Sequence, residues 1–422
     1  MAKYLGRLID SVIEDALKEA GCVVIEGPKW CGKSTSARRF AKTVIELQRP
    51  TVFREYKIYA DSGDGALLKG EPPVMFDEWQ KIPDLWDYIR AEVDTRGGKG
   101  HFIITGSAKP PDDSGRHSGI GRMKRVVMRP MSLYESHDSD GEVSVNALFK
   151  KNDANVGGRS KHNLSDIARI LCRGGWPEAV TESDEKLSLK LAVNYVNELV
   201  STDIVSVDGI KRNPSRARSM LRAYARIISS SAPLSNIVKD IELKEMVSDP
   251  RTLDSYINAF KKLYVIEDIE AWSPKLRSKA TIRSSDTRQF VDPSIAAAAL
   301  GASPQDLMND LNTFGLLFES LALRDLRIYA ERNEGTVYNY HDSLGLEADA
   351  IIHLNNGKWG AAEVKLGGED AVDKAAKNLL KLRDKVDESE SAPAFLLVIT
   401  ATGFAHRRPD GVLVVPIGCL KD

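Results

Sequence analysis

Apolar positions first recur at helical spacing over about residues 7–20, and this predicted helix closes on Gly21, where a residue tolerant of positive φ suits a terminus. The run Cys22–Glu26 follows at once and reads as a buried strand. After a glycine-bearing loop, Lys33 to roughly Leu47 predicts a second helix. Two more short apolar runs come next: Pro73–Phe76, ending in Asp77-Glu78, and His101–Thr105, ending in Gly106-Ser107. Short apolar strands separated by helical or loop stretches predict a parallel α/β sheet with its ligand at the strand C-termini.

Residues 108–121 are rich in Pro, Gly, Ser and Asp and read as a mobile loop. The stretch 136–163 lacks periodicity and reads as an insertion or disordered segment. Helical patterns fill about 164–200, interrupted by the turn Gly174-Gly175-Trp176-Pro177. Residues 215–272 predict three short helices, with turn and cap signals at Pro233–Asn236 and Asp249–Thr252. The apolar run 263–266 and the basic, proline-containing segment 273–290 then fit the strand and wing of a winged helix-turn-helix. From about 308 the order is a helix (Leu311 to Arg332), strands at 336–340, 347–354 and 358–365, a helix at 370–386, and strands at 394–399 and 412–417. That is an α/β unit of its own.

Composition narrows the class. A chain of 422 residues exceeds what one core usually organises, which predicts two to four domains. The 42% apolar and 28% charged shares are those of a soluble globular protein, and no run approaches the roughly twenty apolar residues of a bilayer span. Acidic residues Asp10, Glu14, Asp15 and Glu19 in the first helix do not suit a secretion or transit signal, so a cytoplasmic location is expected. Cys22, Cys31, Cys172 and Cys419 have no CxxC spacing, and the expectation is four reduced thiols. With 59 basic against 60 acidic residues, any nucleic-acid contact must be local. Candidates are Lys211, Arg212, Arg216, Arg218 and Arg222, then Lys275, Arg277, Lys279 and Arg283; a solvated helix face and loop is the competing reading.

The string GPKWCGKS fits the phosphate-binding pattern G-x-x-x-x-G-K-[ST] at every fixed position. Gly27 and Gly32 let the backbone curl so that its N–H groups face phosphates, and the following helix adds its positive end. Pro28, Lys29, Trp30, Cys31 and Thr35 complete the expected ATP pocket. Lys33 is expected to reach the β- and γ-phosphates, and Ser34 to enter the shell of a magnesium ion. Asp77 follows its strand as a second magnesium-side acid must, which leaves Glu78 to orient or deprotonate the attacking water. Thr105 and Ser107 are candidates for sensing the γ-phosphate, and Arg122, ahead of Arg116, for offering a cation to the transferring group. Whether Arg122 would act in its own subunit or a neighbour's stays open.

GPKWCGKS, FDEWQKIPDLW, FIITGSA, GRMKRVVMRPMSLYE and GGWPE, with LVSTDI around Asp203 and FVDPSIAAAALG around Asp292, together resemble a family of bacterial and archaeal ATPases. These are AAA-type enzymes, related to the signal-transducing STAND NTPases, in which a winged helix and a PD-(D/E)XK nuclease-like domain follow the NTPase. The resemblance implies four segments: a P-loop AAA-type core at 1–135, an insertion and helical connector at 136–205, a winged helix-turn-helix at 206–300, and a restriction-endonuclease-like α/β domain at 301–422. Lys33, Ser34, Asp77, Glu78 and Arg122 match its ATP site. Trp30 and Cys31 stand where Arg and Gln or Val are common, and Thr202 where an arginine often precedes the Asp.

Near the C-terminus Asp349, Glu363 and Lys365 fit D-x(n)-E-x-K. Two acids on adjacent strands suit magnesium, and a lysine two residues on shares the strand face of Glu363 and suits activation of a water. Glu319 matches the family acid that often joins that metal, while Lys374 or Lys377 would add a phosphate contact. The first reading is an ATP-controlled switch coupled to a DNA-directed, metal-dependent nuclease domain. The second is an ATP-dependent regulator that binds DNA or a protein partner without cleavage, and a small-molecule P-loop kinase ranks third. Homo-oligomerisation is left open.

Overall fold

The computed structural model describes residues 4–107, 119–150, 156–233, 250–273, 286–342, 344–387 and 392–422. They form two compact units, one of Gly6–Pro130 with Lys262–Tyr264, the other of Met131–Lys261 and Val265–Asp422 with the first five residues.

In the first unit, strands β1 (Cys22–Glu26), β2 (Thr43–Glu46), β3 (Val74–Asp77), β4 (Phe102–Gly106) and β5 (Met123–Val127) make a sheet of order β2-β3-β4-β1-β5. Every pairing is parallel. Alternate residues of these strands enter different cores, so both faces are covered. Val23, Ile25, Met75 and Ile103 pack with Ile9, Ile13 and Ala16 of α1 (Ile9–Glu19), and with Ala37 of α2 (Lys33–Arg38). Val24, Phe76, Phe102 and Ile104 pack with Ile89 and Val93 of α4 (Leu85–Arg96) and with Ala60 of α3 (Pro50–Ser62). Two-sided burial is why these strands read as continuous apolar runs.

Two expectations change here. The predicted helix to Leu47 stops at Arg38, and β2 takes the rest, because Thr43, Val44 and Ile45 are β-branched and β3 offers their backbone a parallel partner. Gly21 does not serve through positive φ, since Ala20 caps α1 in an extended conformation. Instead, a Cβ at Gly21 would lie 2.4 Å from the Val93 side chain, so the glycine permits α4 to pack closely.

In the second unit, β7 (Gly335–His341), β8 (Glu347–Leu354), β9 (Trp359–Lys365), β10 (Leu396–Thr400), β11 (His406–Arg407) and β12 (Leu413–Pro416) form a mixed sheet of order β11-β12-β10-β9-β8-β7. Helix Glu369–Asp387 buries Ala375, Ala376, Leu379 and Leu382 against it, and helix Leu311–Arg332 packs on β7, β8 and β9. Of the segment 136–163, read as an insertion or disordered stretch, the described residues are ordered. Strand β6 (Val143–Ser144) pairs with β13 (Leu420–Lys421), and Ser139 Oγ donates to the Leu420 carbonyl at 2.6 Å. The polar sequence lacked periodicity because its partners lie at the C-terminus.

Between β6 and β7 in the chain come helices Leu164–Arg173, Pro177–Thr181, Glu185–Glu198, Pro214–Ala225, Pro250–Lys262 and Pro293–Leu300. The 263–290 region contributes isolated bridges, Ile266 with Phe290 and Ile269 with Thr287. The middle helix expected after Pro233, the residues Lys275, Arg277, Lys279 and Arg283, and Arg116 with most of the 108–121 loop lie outside the described residues. No helix among the described residues is long and apolar enough to cross a membrane.

Candidate functional site

Strand β1 ends the sheet's left-to-right progression, because its neighbours β4 and β5 come later in the chain and lie on opposite sides of it. Such a reversal opens a crevice at the strand C-termini, and the loop 27–32 lies there between β1 and α2. Gly27 has φ of 147°, and a Cβ on it would sit 2.1 Å from the Met128 carbonyl oxygen. Gly32 at φ 101° and Trp30 at φ 64° complete a loop that side-chain-bearing residues rarely adopt. Lys33 is 6% exposed, and its ammonium donates to the Gly27 and Pro28 carbonyls at 2.9 and 2.7 Å.

Beside this loop, Ser34 Oγ donates to Asp77 Oδ1 at 2.6 Å, and Thr105 Oγ1 donates to the same oxygen at 2.5 Å. The register of β3 with β4 sets Asp77 against Thr105, so the hydroxyl is committed to orienting the carboxylate. Arg38 Nη2 stands 3.9 Å from Asp77 Oδ2. A serine hydroxyl and a carboxylate already adjoining at the strand ends are a donor set that fits magnesium, which favours oxygen ligands and few protein contacts. Glu78 adopts φ 60°, ψ 47°, a left-handed conformation costly for a residue with a side chain, and its carboxylate accepts from Gln80 Nε2 at 2.5 Å. Gln80 Oε1 and Trp79 Nε1 are buried without a partner, each within 2.9 Å of where a Gly106 side chain would begin. An acceptor and a donor set side by side are the chemistry that holds a water.

Arg122 is not brought to this pocket. It immediately precedes β5, whose first residue pairs with Cys22, so it lies at the N-terminal edge of the sheet while the loop leaves the C-terminal edge. There its Nε bonds Asp94 at 2.5 Å. The Gly-Arg pattern was local; the strand direction that separates it from the phosphates was not. The sequence reading missed Arg7, whose guanidinium donates to the carbonyls of Cys31 and Arg129 at 2.8 Å each. Together with the Cys31 thiol on the Met128 carbonyl at 3.3 Å, it braces the phosphate loop from behind. A lone arginine before an amphipathic helix carries no signal for that.

In the second unit, the β8–β9 register continues to set Asp349 opposite Glu363. Asp349 Oδ2 accepts from the Val364 amide at 2.7 Å and from Lys365 Nζ at 3.2 Å, and Lys365 also lies 2.7 Å from Glu363. Burial and the charge of Asp349 push the Glu363 carboxyl up to about 7, and the same causes raise Glu319 well above the carboxylate range. Burial alone would lower the Lys365 ammonium, but Asp349 and Glu363 outweigh it and hold the lysine charged. Asn378 Nδ2 reaches Glu363 at 3.5 Å from helix Glu369–Asp387, whereas Lys374 and Lys377 on that helix face solvent. The described residues hold one trio of His, Cys, Asp or Glu ligands within 4.8 Å of one another, and it is Asp140, Glu142 and Cys419 rather than Glu319, Asp349 and Glu363. Burial and the two acids push the Cys419 thiol up to about 12. All four cysteines are free and buried.

Several sequence motifs meet in one buried polar hub of the second unit. Arg324 lies 2.8 Å from Asp292 and 2.7 Å from Asp325. Asp325 also accepts from the Leu133 amide at 3.0 Å, and Asp292 from the Gly175 amide at 3.0 Å and the Ser294 hydroxyl at 2.6 Å. Trp176 Nε1 donates to that same hydroxyl. A Cβ on Gly175 would meet the Met131 carbonyl oxygen at 2.1 Å, so the Gly-Gly-Trp-Pro turn exists to let two backbones touch.

Residues 19–137 match the family model described as an AAA domain, so the chain carries an AAA-type P-loop domain there. Residues 164–306 and 314–420 match two models each described as a domain of unknown function (DUF8612 and DUF4143). Over 373 residues the chain is 22% identical to an uncharacterised protein of Mycobacterium bovis and to another of Mycobacterium tuberculosis, with 86% of this chain and 75% of each relative covered. Among solved structures it is similar to a Walker-type ATPase of Pyrococcus abyssi, at 17% identity and TM-score 0.42 over 70% of this chain and 96% of that one. It is also similar to a chain of the Drosophila ORC bound to DNA, at 13% identity and TM-score 0.21 over 66% and 89%. Neither superposition is close enough to carry an argument.

Proposed function

We propose that this protein is an ATP-binding and hydrolysing switch whose nucleotide state is coupled to a DNA-directed, nuclease-like C-terminal domain. The observation that carries the reading is the pairing of a glycine-curled loop bearing Lys33 with the Ser34–Asp77–Thr105 cluster at the same sheet edge. Loop amides and Lys33 bind the polyphosphate, Ser34 and Asp77 hold magnesium, and Thr105 keeps Asp77 aimed. Bound magnesium would neutralise charge on the β- and γ-phosphates. Glu78, fixed by Gln80, takes the proton of the attacking water. Arg122 is left out of the same-subunit mechanism, since its strand end faces away from the loop. The switch requires the γ-phosphate to contact the two states differently.

Glu78→Gln tests the assignment. It is expected to keep ATP binding while slowing steady-state phosphate release by about 100-fold or more, the usual worth of a general base. Wild-type turnover in that variant removes Glu78 from the chemistry.

Residues 206–300 would act as a winged helix, and in the C-terminal domain Asp349 and Glu363 would hold a divalent ion, with Lys365 placed to direct a water. A second reading, a regulator that binds DNA or a protein without cutting, is favoured by Lys365 already pairing with both carboxylates. Plasmid DNA with magnesium or manganese separates the two. Nicking that disappears in Asp349→Ala and in Lys365→Ala supports the nuclease; intact plasmid under every nucleotide and metal, with wild type and both variants alike, leaves the regulator.

A further inference from the structure

Helix Pro214–Ala225 has two unlike faces. Ala217, Met220, Leu221 and Tyr224 are buried, and the helix packs on Pro293–Leu300. Arg218, Arg222 and Arg226 are exposed and recur every four residues, so they form a single stripe; Ser215 and Ser219 fall on the same side by helical period. Between Gly209 and Pro233 the sequence holds six basic residues and no acidic one, in a chain whose net charge is −1. Not all six face outward. Arg212, a candidate nucleic-acid contact in the sequence reading, is buried and committed to Asp208 at 2.6 and 2.8 Å and to the Ser255 carbonyl at 3.1 Å. Its role is to tie this helix to Pro250–Lys262. Lys211 and Arg216 remain exposed beside the stripe.

Like charges four residues apart weaken a helix, so the arginine ladder works against the stability of its own element. Its spacing suits a polyanion. Four helical residues rise about 6 Å, and each strand of a duplex carries a phosphate about every 3.4 Å of its axis, so guanidinium groups at this spacing meet a dense row of anions. Guanidinium forks match phosphate oxygens in pairs, and serine hydroxyls are common donors to the same oxygens. Resting on the proposed DNA-directed reading and specifying where it acts, we propose that the Arg218–Arg222–Arg226 face binds the sugar-phosphate backbone of DNA. It recognises charge and spacing without reading bases. The buried face of the same helix packs on Pro293–Leu300, whose cap Asp292 is anchored in the Arg324 hub.

The test uses the full chain, a mixed-sequence duplex of about 30 base pairs and fluorescence anisotropy over a series of potassium chloride concentrations. Each phosphate contact contributes about 0.9 to the slope of log affinity against log salt. The R218Q/R222Q/R226Q variant is therefore expected to bind at least about tenfold more weakly at low salt and to lose about 2 to 3 units of slope. Its melting temperature should not fall below wild type and its ATP hydrolysis without DNA should be unchanged, which separates a lost contact from a misfolded chain. A variant that folds and binds with unchanged affinity and slope overturns the assignment of this face while leaving DNA-directed function in place. Wild-type protein that ignores DNA but hydrolyses ATP overturns the DNA reading as well. Wild-type protein that binds poly-aspartate as tightly as DNA also overturns the proposal and turns the face toward an acidic protein.

Discussion

Lys33→Ala is expected to abolish ATP uptake: calorimetric titration with magnesium present should show Kd weakened by at least about 100-fold, equivalent to about 3 kcal/mol. Two charge-assisted hydrogen bonds from the ammonium to phosphate oxygens, at roughly 1.5–3 kcal/mol each, are enough to account for that loss. The lysine now spends its protons on the Gly27 and Pro28 carbonyls, so a ligand has only to out-compete neutral acceptors with charged ones. The fold should survive, because the backbone angles of Gly27 and Gly32, the Met128 approach and the Arg7 brace shape the loop without it. Unchanged affinity in a well-folded Lys33→Ala protein would mean that the ammonium does not face the polyphosphate, and the switch would have lost its input.

Arg324→Leu is expected to be the most destabilising single change in the second unit. It strips the counter-charge from two carboxylates, Asp292 and Asp325, that are 0% and 1% exposed. Removing one partner of a buried ion pair typically costs about 3–5 kcal/mol, because the remaining charge has neither water nor a partner. For a unit of this size that corresponds to a melting temperature lower by roughly 10 °C. The cause is testable by compensation. Burial already pushes the Asp325 carboxyl up to about 6 despite its arginine, so R324L combined with D292N and D325N should recover part of the loss in calorimetric melts. If R324L alone melts within a degree or two of wild type, the hub is not holding the unit together.

Much of the candidate chemistry is legible in the chain because it depends on neighbours in sequence. GPKWCGKS specifies its loop through glycines whose φ values only glycine adopts readily, and Lys33 and Ser34 follow in the next two positions. Glu363 and Lys365 sit on one strand, so their shared face follows from a period of two, while the β8–β9 register brings Asp349 to it. The helix read from Leu311 to Arg332 has those bounds in the structure.

What the chain alone left undecided depends on partners far along it. Strand β2 looked like the tail of a helix until β3 was there to pair with it, and residues 136–150 looked unstructured until the last strand of the chain lay beside them. Arg122 shares a motif with the phosphate site yet lies at the other end of the sheet, because parallel pairing with β1 fixes which way β5 runs. Arg7 supports the phosphate loop by reaching a carbonyl 122 positions away, and Asp325 meets the Leu133 amide across 192. Local pattern by itself determined the helix Leu311–Arg332, the buried strands β1, β3 and β4, and which loop can cradle phosphate. Only tertiary packing decided which charges pair and which end of the sheet each side chain reaches, since those energies arise between residues that no short window brings together.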